Sequence, residues 1–124
     1  MKEIFLQVGD RVGILAEVAE ILGNYGINIE AISAYGDGQR GLIRLVTNDS
    51  ETARRVLERR GYAPQLKEAM VIQMKNRPGE LAKYAKKIAA ANINIEAVYL
   101  LSKTKDTVEL IVCADNLDKL KEVL

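Results

Sequence analysis

Hydrophobic and polar positions alternate from the first residues of this chain. Over Lys2–Val8, Ile4, Leu6 and Val8 fall on one side and Glu3, Phe5 and Gln7 on the other, the period of a half-buried strand. The period then lengthens. Ile14, Leu15, Val18, Ile21, Leu22 and Tyr25 recur at helical spacing, a stripe that one helix lays on a sheet. Asn28–Gly36 and Gln39–Thr47 return to strand character around the turn Asp37-Gly38, which predicts a hairpin. Asp49 and Ser50 can cap a second helix carrying Ala53, Val56 and Leu57 and closing at Gly61. Tyr62–Leu66 supplies a last short strand, with Pro64 tolerable only at an edge or an end.

The same order then starts again. Glu68–Met74 alternates, with Met70, Ile72 and Met74 on one face. Leu81, Ala82, Ala85, Ile88 and Ala89 follow at helical spacing, leaving Lys83, Lys86 and Lys87 for solvent. Asn94–Ser102 and Thr107–Cys113 form the second hairpin, and Asp115 and Asn116 cap a helix carrying Leu117, Leu120 and Leu124. The repetition extends to the residues themselves: from Asp10–Ile32 to Asn76–Val98, ten of 23 positions are identical, including Arg11/Arg77, Gly13/Gly79, Leu15/Leu81 and the run Ile27–Ala31/Ile93–Ala97. The chain therefore reads as two modules, residues 1–66 and 67–124. Strand-helix-strand-strand-helix-strand order implies an α+β architecture of two ferredoxin-like βαββαβ plaits, antiparallel sheets with helices on one face. The second module lacks the final strand, and the sheet edge this leaves is expected to be covered by another chain or module.

Composition narrows the chemistry. The 124 residues contain no histidine, no tryptophan and one cysteine, so histidine-based acid-base catalysis, Ser-His-Asp and Cys-His triads, histidine-ligated zinc and an internal disulfide framework are excluded. Cys113 falls in an apolar strand and reads as a buried, inert thiol. No catalytic constellation, metal site or cofactor loop is legible, and the chain reads as a protein that is not an enzyme. The first module holds 8 basic and 9 acidic side chains and the second 10 and 8, so neither has the field of a nucleic-acid binder. The third strands also lack the aromatic rings of an RNA-recognition plait. No run approaches the ~18 apolar residues of a membrane span, and Met1-Lys2-Glu3-Ile4-Phe5 carries charge where a secretory signal needs an apolar core. The expected location is cytoplasmic.

The turns Gly9-Asp10-Arg11-Val12-Gly13 and Lys75-Asn76-Arg77-Pro78-Gly79 aim the unpaired N–H groups of a helix start, and the positive end of its dipole, at the space in front, which suits a carboxylate. Gly13 and Gly79 remove a side chain from that approach, and Pro78 suits a first helical turn. Asp10 or Asn76 can serve an ammonium or amide, and Arg11 and Arg77 can clamp a carboxylate. Asn28 and Asn94, placed identically after each helix, are expected at the same end of the module as the loop. The bland alternative is that these are helix starts and turn residues only.

Asp10-Arg11-Val12-Gly13, Asn76-Arg77-Pro78-Gly79, Leu15-Ala16 and Leu81-Ala82, and Gly26–Ile29 and Asn92–Ile95 together resemble the ACT domain, a family of regulatory modules that commonly bind amino acids and control metabolic enzymes. The resemblance covers nearly the whole chain as a tandem pair, and the second copy is the better match. It implies side-by-side pairing of modules through their sheets, with effector sites at the interface between modules. Carried over, the ligand-contacting positions are Asp10, Arg11, Val12, Gly13, Ile14, Leu15, Asn28 and Ile29 in the first copy. In the second they are Asn76, Arg77, Pro78, Gly79, Glu80, Leu81, Asn94 and Ile95. The expectation is a non-catalytic regulatory protein that binds a small effector, an amino acid. It would act as a homo-oligomer such as a dimer, with a metabolic enzyme as partner and neither nucleic acid nor membrane involved. The competing expectation is an interaction scaffold, or a regulatory subunit of an amino-acid biosynthetic enzyme, without a ligand of its own.

Overall fold

A computed structural model describes residues 1–124, which form seven strands and four helices. The order is β1 (Lys2–Gly9), α1 (Ile14–Asn24), β2 (Ile29–Gly36), β3 (Arg40–Thr47), α2 (Ser50–Arg59), β4 (Gln65–Glu68), β5 (Met70–Lys75), α3 (Glu80–Ala90), β6 (Ile95–Lys103), β7 (Thr107–Ala114) and α4 (Leu117–Val123). The chain divides into two compact units, one spanning Lys2–Lys67 and the other Glu68–Leu124 together with Met1. Met1 joins the latter because its ammonium donates to the Ala69 carbonyl at 3.2 Å and its own carbonyl accepts from the Ala69 N–H at 2.9 Å.

In the first unit the sheet order is β2-β3-β1-β4, with β3 antiparallel to both β1 and β2. Strand alternation puts Ile4 and Leu6 inward, and helical spacing puts Val18, Ile21 and Leu22 of α1 and Ala53, Val56 and Leu57 of α2 against them. Asp49 caps α2, its side chain accepting from the Thr52 N–H at 3.1 Å. The helix closes at Gly61, whose φ of +91° suits a residue without a Cβ, and the Tyr62 N–H then donates back to the Leu57 carbonyl. That capping bond draws Tyr62 away from the sheet. The last strand therefore starts after Pro64, at Gln65, and not at Tyr62 as expected; it runs to Glu68, so β5 begins at Met70 and not at Glu68.

The second unit repeats the plan with three strands in the order β5-β7-β6. Ile72, Met74, Ile88, Ile93, Val112 and Leu120 form its core, and Asn116 caps α4 by accepting from the Lys119 N–H at 3.0 Å. Cys113 is buried.

One position departs from the alternation rule. Glu3, expected on a polar strand face, is fully buried, and its carboxylate is ion-paired with Arg44. Arg44 sits directly across from Phe5 on β3, with its guanidinium 4.7 Å from the ring centroid, while the Lys67 ammonium lies 4.5 Å from the same ring. Burial of the charge is tolerable because an opposite charge accompanies it. A polar residue at an alternating position does not reveal such a partner on another strand.

Candidate functional site

The loop after β1 is fixed to the tip of the β2–β3 hairpin. The Asp10 N–H donates to the Gln39 carbonyl at 3.0 Å, and Asp10 Oδ2 accepts from the Gly38 N–H at 2.8 Å. Gly36 makes this possible, since a Cβ there would lie 2.5 Å from Asp10 Oδ2. Val12 is fully exposed at the bend, and Gly13 then turns the chain with a φ of +86°, a left-handed conformation that opens α1 without a side-chain cap. The N–H groups of Leu15 and Ala16, in the first turn of α1, have no intrahelical acceptor by position, and Gly13 offers no side-chain cap. Beside them is a hollow of about 170 Å³ lined by Val8, Asp10, Ile14, Leu15, Ala34, Tyr35, Gly36, Gly41 and Ile43. Its walls are mainly apolar, with backbone donors at one side and one carboxylate at the rim. Such an arrangement can receive a zwitterion: a carboxylate on the helix start, an ammonium on Asp10 and an apolar remainder between.

Arg11 does not stand free beside it. Its guanidinium donates to Glu17 Oε2 at 2.5 Å, and the Tyr62 hydroxyl donates to Glu17 Oε1 at 2.7 Å. The bond from Arg11, then that from Tyr62, holds the Glu17 carboxyl below its ordinary range, and the same pairing raises Arg11. Burial, then the bond to Glu17, pushes the Tyr62 phenol up. A lowered carboxyl contributes stability above its unfolded value, near pH 4.3, and loses it as pH falls through the folded value. A raised phenol contributes below its unfolded value, near pH 10, and loses it as pH rises through the folded value. Glu17→Gln should therefore flatten the acid limb of the melting-temperature profile below about pH 5; superimposable acid limbs would contradict the pairing.

The second unit repeats the loop with different chemistry. The Asn76 N–H donates to the Asp106 carbonyl at 2.9 Å, and Asn76 Nδ2 donates to the carbonyls of Thr104 at 2.9 Å and Lys105 at 3.4 Å. Gly79 has a φ of +87° and is the N-cap of α3, which puts Pro78 one residue before the cap and outside the first helical turn. Space around the Cβ position of both Gly13 and Gly79 is open within the chain, so the backbone angle is what demands glycine there. Glu80 is buried, with Arg77 Nε 3.5 Å from its carboxylate, and Leu81 is exposed.

The asparagines after the helices do not join the loops of their own units. Ile29 pairs with Thr47, whereas Gly36 pairs with Gly41, which also faces Val8. From Gly41 to Thr47, β3 rises about 20 Å. The helix itself is the reason: α1 carries the chain back along the sheet, so β2 must start at the end remote from Asp10. Asn94 and Ile95 are likewise remote from Asn76, because Ile95 pairs with Ala114 while Lys75 pairs with Thr107. The backbone N–H groups of Asn28 and Asn94 donate to Asn48 Oδ1 and Asp115 Oδ1, each at 3.0 Å, and their side chains are exposed. The sequence reading missed Ala34, Gly36 and Gly41. The glycines around the first hairpin were its available signal, since Gly36 and Gly41 directly face one another where the loop arrives.

No helix is long and apolar enough to cross a membrane, and no cluster of three or more His, Cys, Asp or Glu is placed to hold a metal ion. The plait, its repetition and the glycine-opened loop ahead of each leading helix put the chain in the class of tandem ferredoxin-like modules. Residues 2–63 match the ACT domain, and the chain belongs to the ACT domain family. Among solved structures, it is similar to protein BT0572 from Bacteroides thetaiotaomicron, with a TM-score of 0.90 and 27% identity over 99% of this chain and 85% of that one. The ligand-free regulatory subunit of aspartate kinase from Thermus thermophilus has the same fold, with a TM-score of 0.72 and 19% identity over 98% of this chain and 89% of that one. The corresponding subunit from Thermus flavus gives 0.68 and 18% over 98% and 88%. No curated protein is similar in sequence.

Proposed function

We propose that this chain is a non-catalytic, cytoplasmic regulatory protein that binds an amino acid at the loop ahead of α1, where a module of a second copy closes the open side. The observation that carries the reading is the hollow beside the α1 start, where free backbone donors and the Asp10 carboxylate flank an apolar wall. Exposed apolar side chains near it, Leu15 and Ile32, and their counterparts Leu81 and Val98 in the second unit, favour association with another copy. A ligand contacting both copies stabilises the arrangement in which both contacts exist, and that differential affinity is the regulatory output. The aspartate kinase regulatory subunits that share the fold favour a metabolic enzyme as the recipient of that output.

The scaffold reading predicts a different result in one screen. For an effector-binding protein, a ligand at about 100 times its Kd adds about 2.7 kcal/mol and raises the melting temperature by roughly 10 °C. Thermal shift against the twenty amino acids should show such a rise for at least one. A flat profile across all twenty would favour a protein-protein scaffold without its own ligand.

A further inference from the structure

The two loops descend from one repeat, but the spaces beside them are built from different residues. In the first unit Ala34 pairs with Ile43, Leu6 pairs with the same residue, and Gly41 faces Val8; the small side chains of Ala34 and Gly41 leave the hollow open. The register gives their counterparts directly. Leu100 pairs with Leu110 as Ala34 does with Ile43, and Val108 faces Met74 as Gly41 faces Val8. A leucine and a valine thus stand where the first unit has an alanine and a glycine. Val108 packs on the second core. The polar group at the rim changes as well, from the Asp10 carboxylate to the Asn76 amide, whose donors are spent on Thr104 and Lys105.

We infer that each chain carries one effector site and not two, in the first module, and that it takes an α-amino acid with an aliphatic side chain. The inference rests on the effector role proposed above and adds to it the number of sites and the ligand class. Beyond the Asp10 carboxylate, which the ammonium takes, and Tyr35, which is 65% exposed, the lining side chains Val8, Ile14, Leu15, Ala34 and Ile43 are apolar, so a polar ligand side chain laid on them leaves donors and acceptors unsatisfied, whereas an aliphatic one gains from leaving water. Asp10 supplies the counter-charge that separates an amino acid from a simple carboxylate.

Titration calorimetry on the full chain with L-valine, L-leucine and L-isoleucine, against L-serine, L-lysine and L-glutamate, tests this. The expected result is one aliphatic amino acid per chain, bound at least about tenfold more tightly than the polar ones. Ala34→Leu, at an exposed position, should abolish binding while the unliganded melting temperature holds, and Leu100→Ala should leave binding unchanged. Two ligands per chain, equal affinity for serine, or loss of binding in Leu100→Ala but not in Ala34→Leu would overturn the inference while leaving the effector role standing. Heat from none of the amino acids would overturn the effector role itself.

Discussion

Arg44→Met is expected to lower the unfolding free energy by about 3 kcal/mol, read as a drop in the urea midpoint at pH 7. The side chain keeps its apolar stem but loses the guanidinium that pairs with the fully buried Glu3 and lies over the Phe5 ring. A buried carboxylate that loses its counter-charge costs far more than a surface pair is worth, because water cannot replace the missing cation. Adding Glu3→Gln to the variant should restore part of the loss by removing a buried carboxylate that has lost its guanidinium. A loss below about 0.5 kcal/mol for Arg44→Met would mean that Glu3 is not held by this pairing.

Gly36→Ala should weaken effector binding by about 2 kcal/mol, roughly 30-fold in Kd, by calorimetry with the ligand found in the thermal screen. The added methyl would sit 2.5 Å from Asp10 Oδ2 and 2.6 Å from Asp10 Cγ, so the carboxylate must swing away and release the Gly38 N–H. The fold should survive, since what moves is the end of one exposed side chain. Asp10→Asn, which keeps the shape and removes the charge, should lose a similar amount of affinity. Wild-type binding in both variants would remove Asp10 from the site.

The repeated plait was legible in the sequence because its determinants are local and doubled. Alternation in β1, the α1 stripe and the Asp49 cap each act within a few residues, and each has its counterpart one module later, in β5, α3 and the Asn116 cap. Long-range features were not. The Glu17–Tyr62 bond joins α1 to the segment after α2, and the Glu3–Arg44 pair crosses from β1 to β3; no short-range pattern announces either. Placing Asn28 beside Asp10 failed for a simpler reason, because residues that flank a helix in sequence lie at its opposite ends in space. The hollow leaves no mark in the sequence because it is defined by small residues, Ala34, Gly36 and Gly41, whose contribution is the volume they leave free.

Burial of Cys113 has a practical consequence. Because the sole native thiol is shielded, a cysteine introduced at the fully exposed Val12 would be the one group open to maleimide reagents, with no background substitution needed. A fluorophore attached there would stand at the mouth of the loop and report its neighbourhood directly.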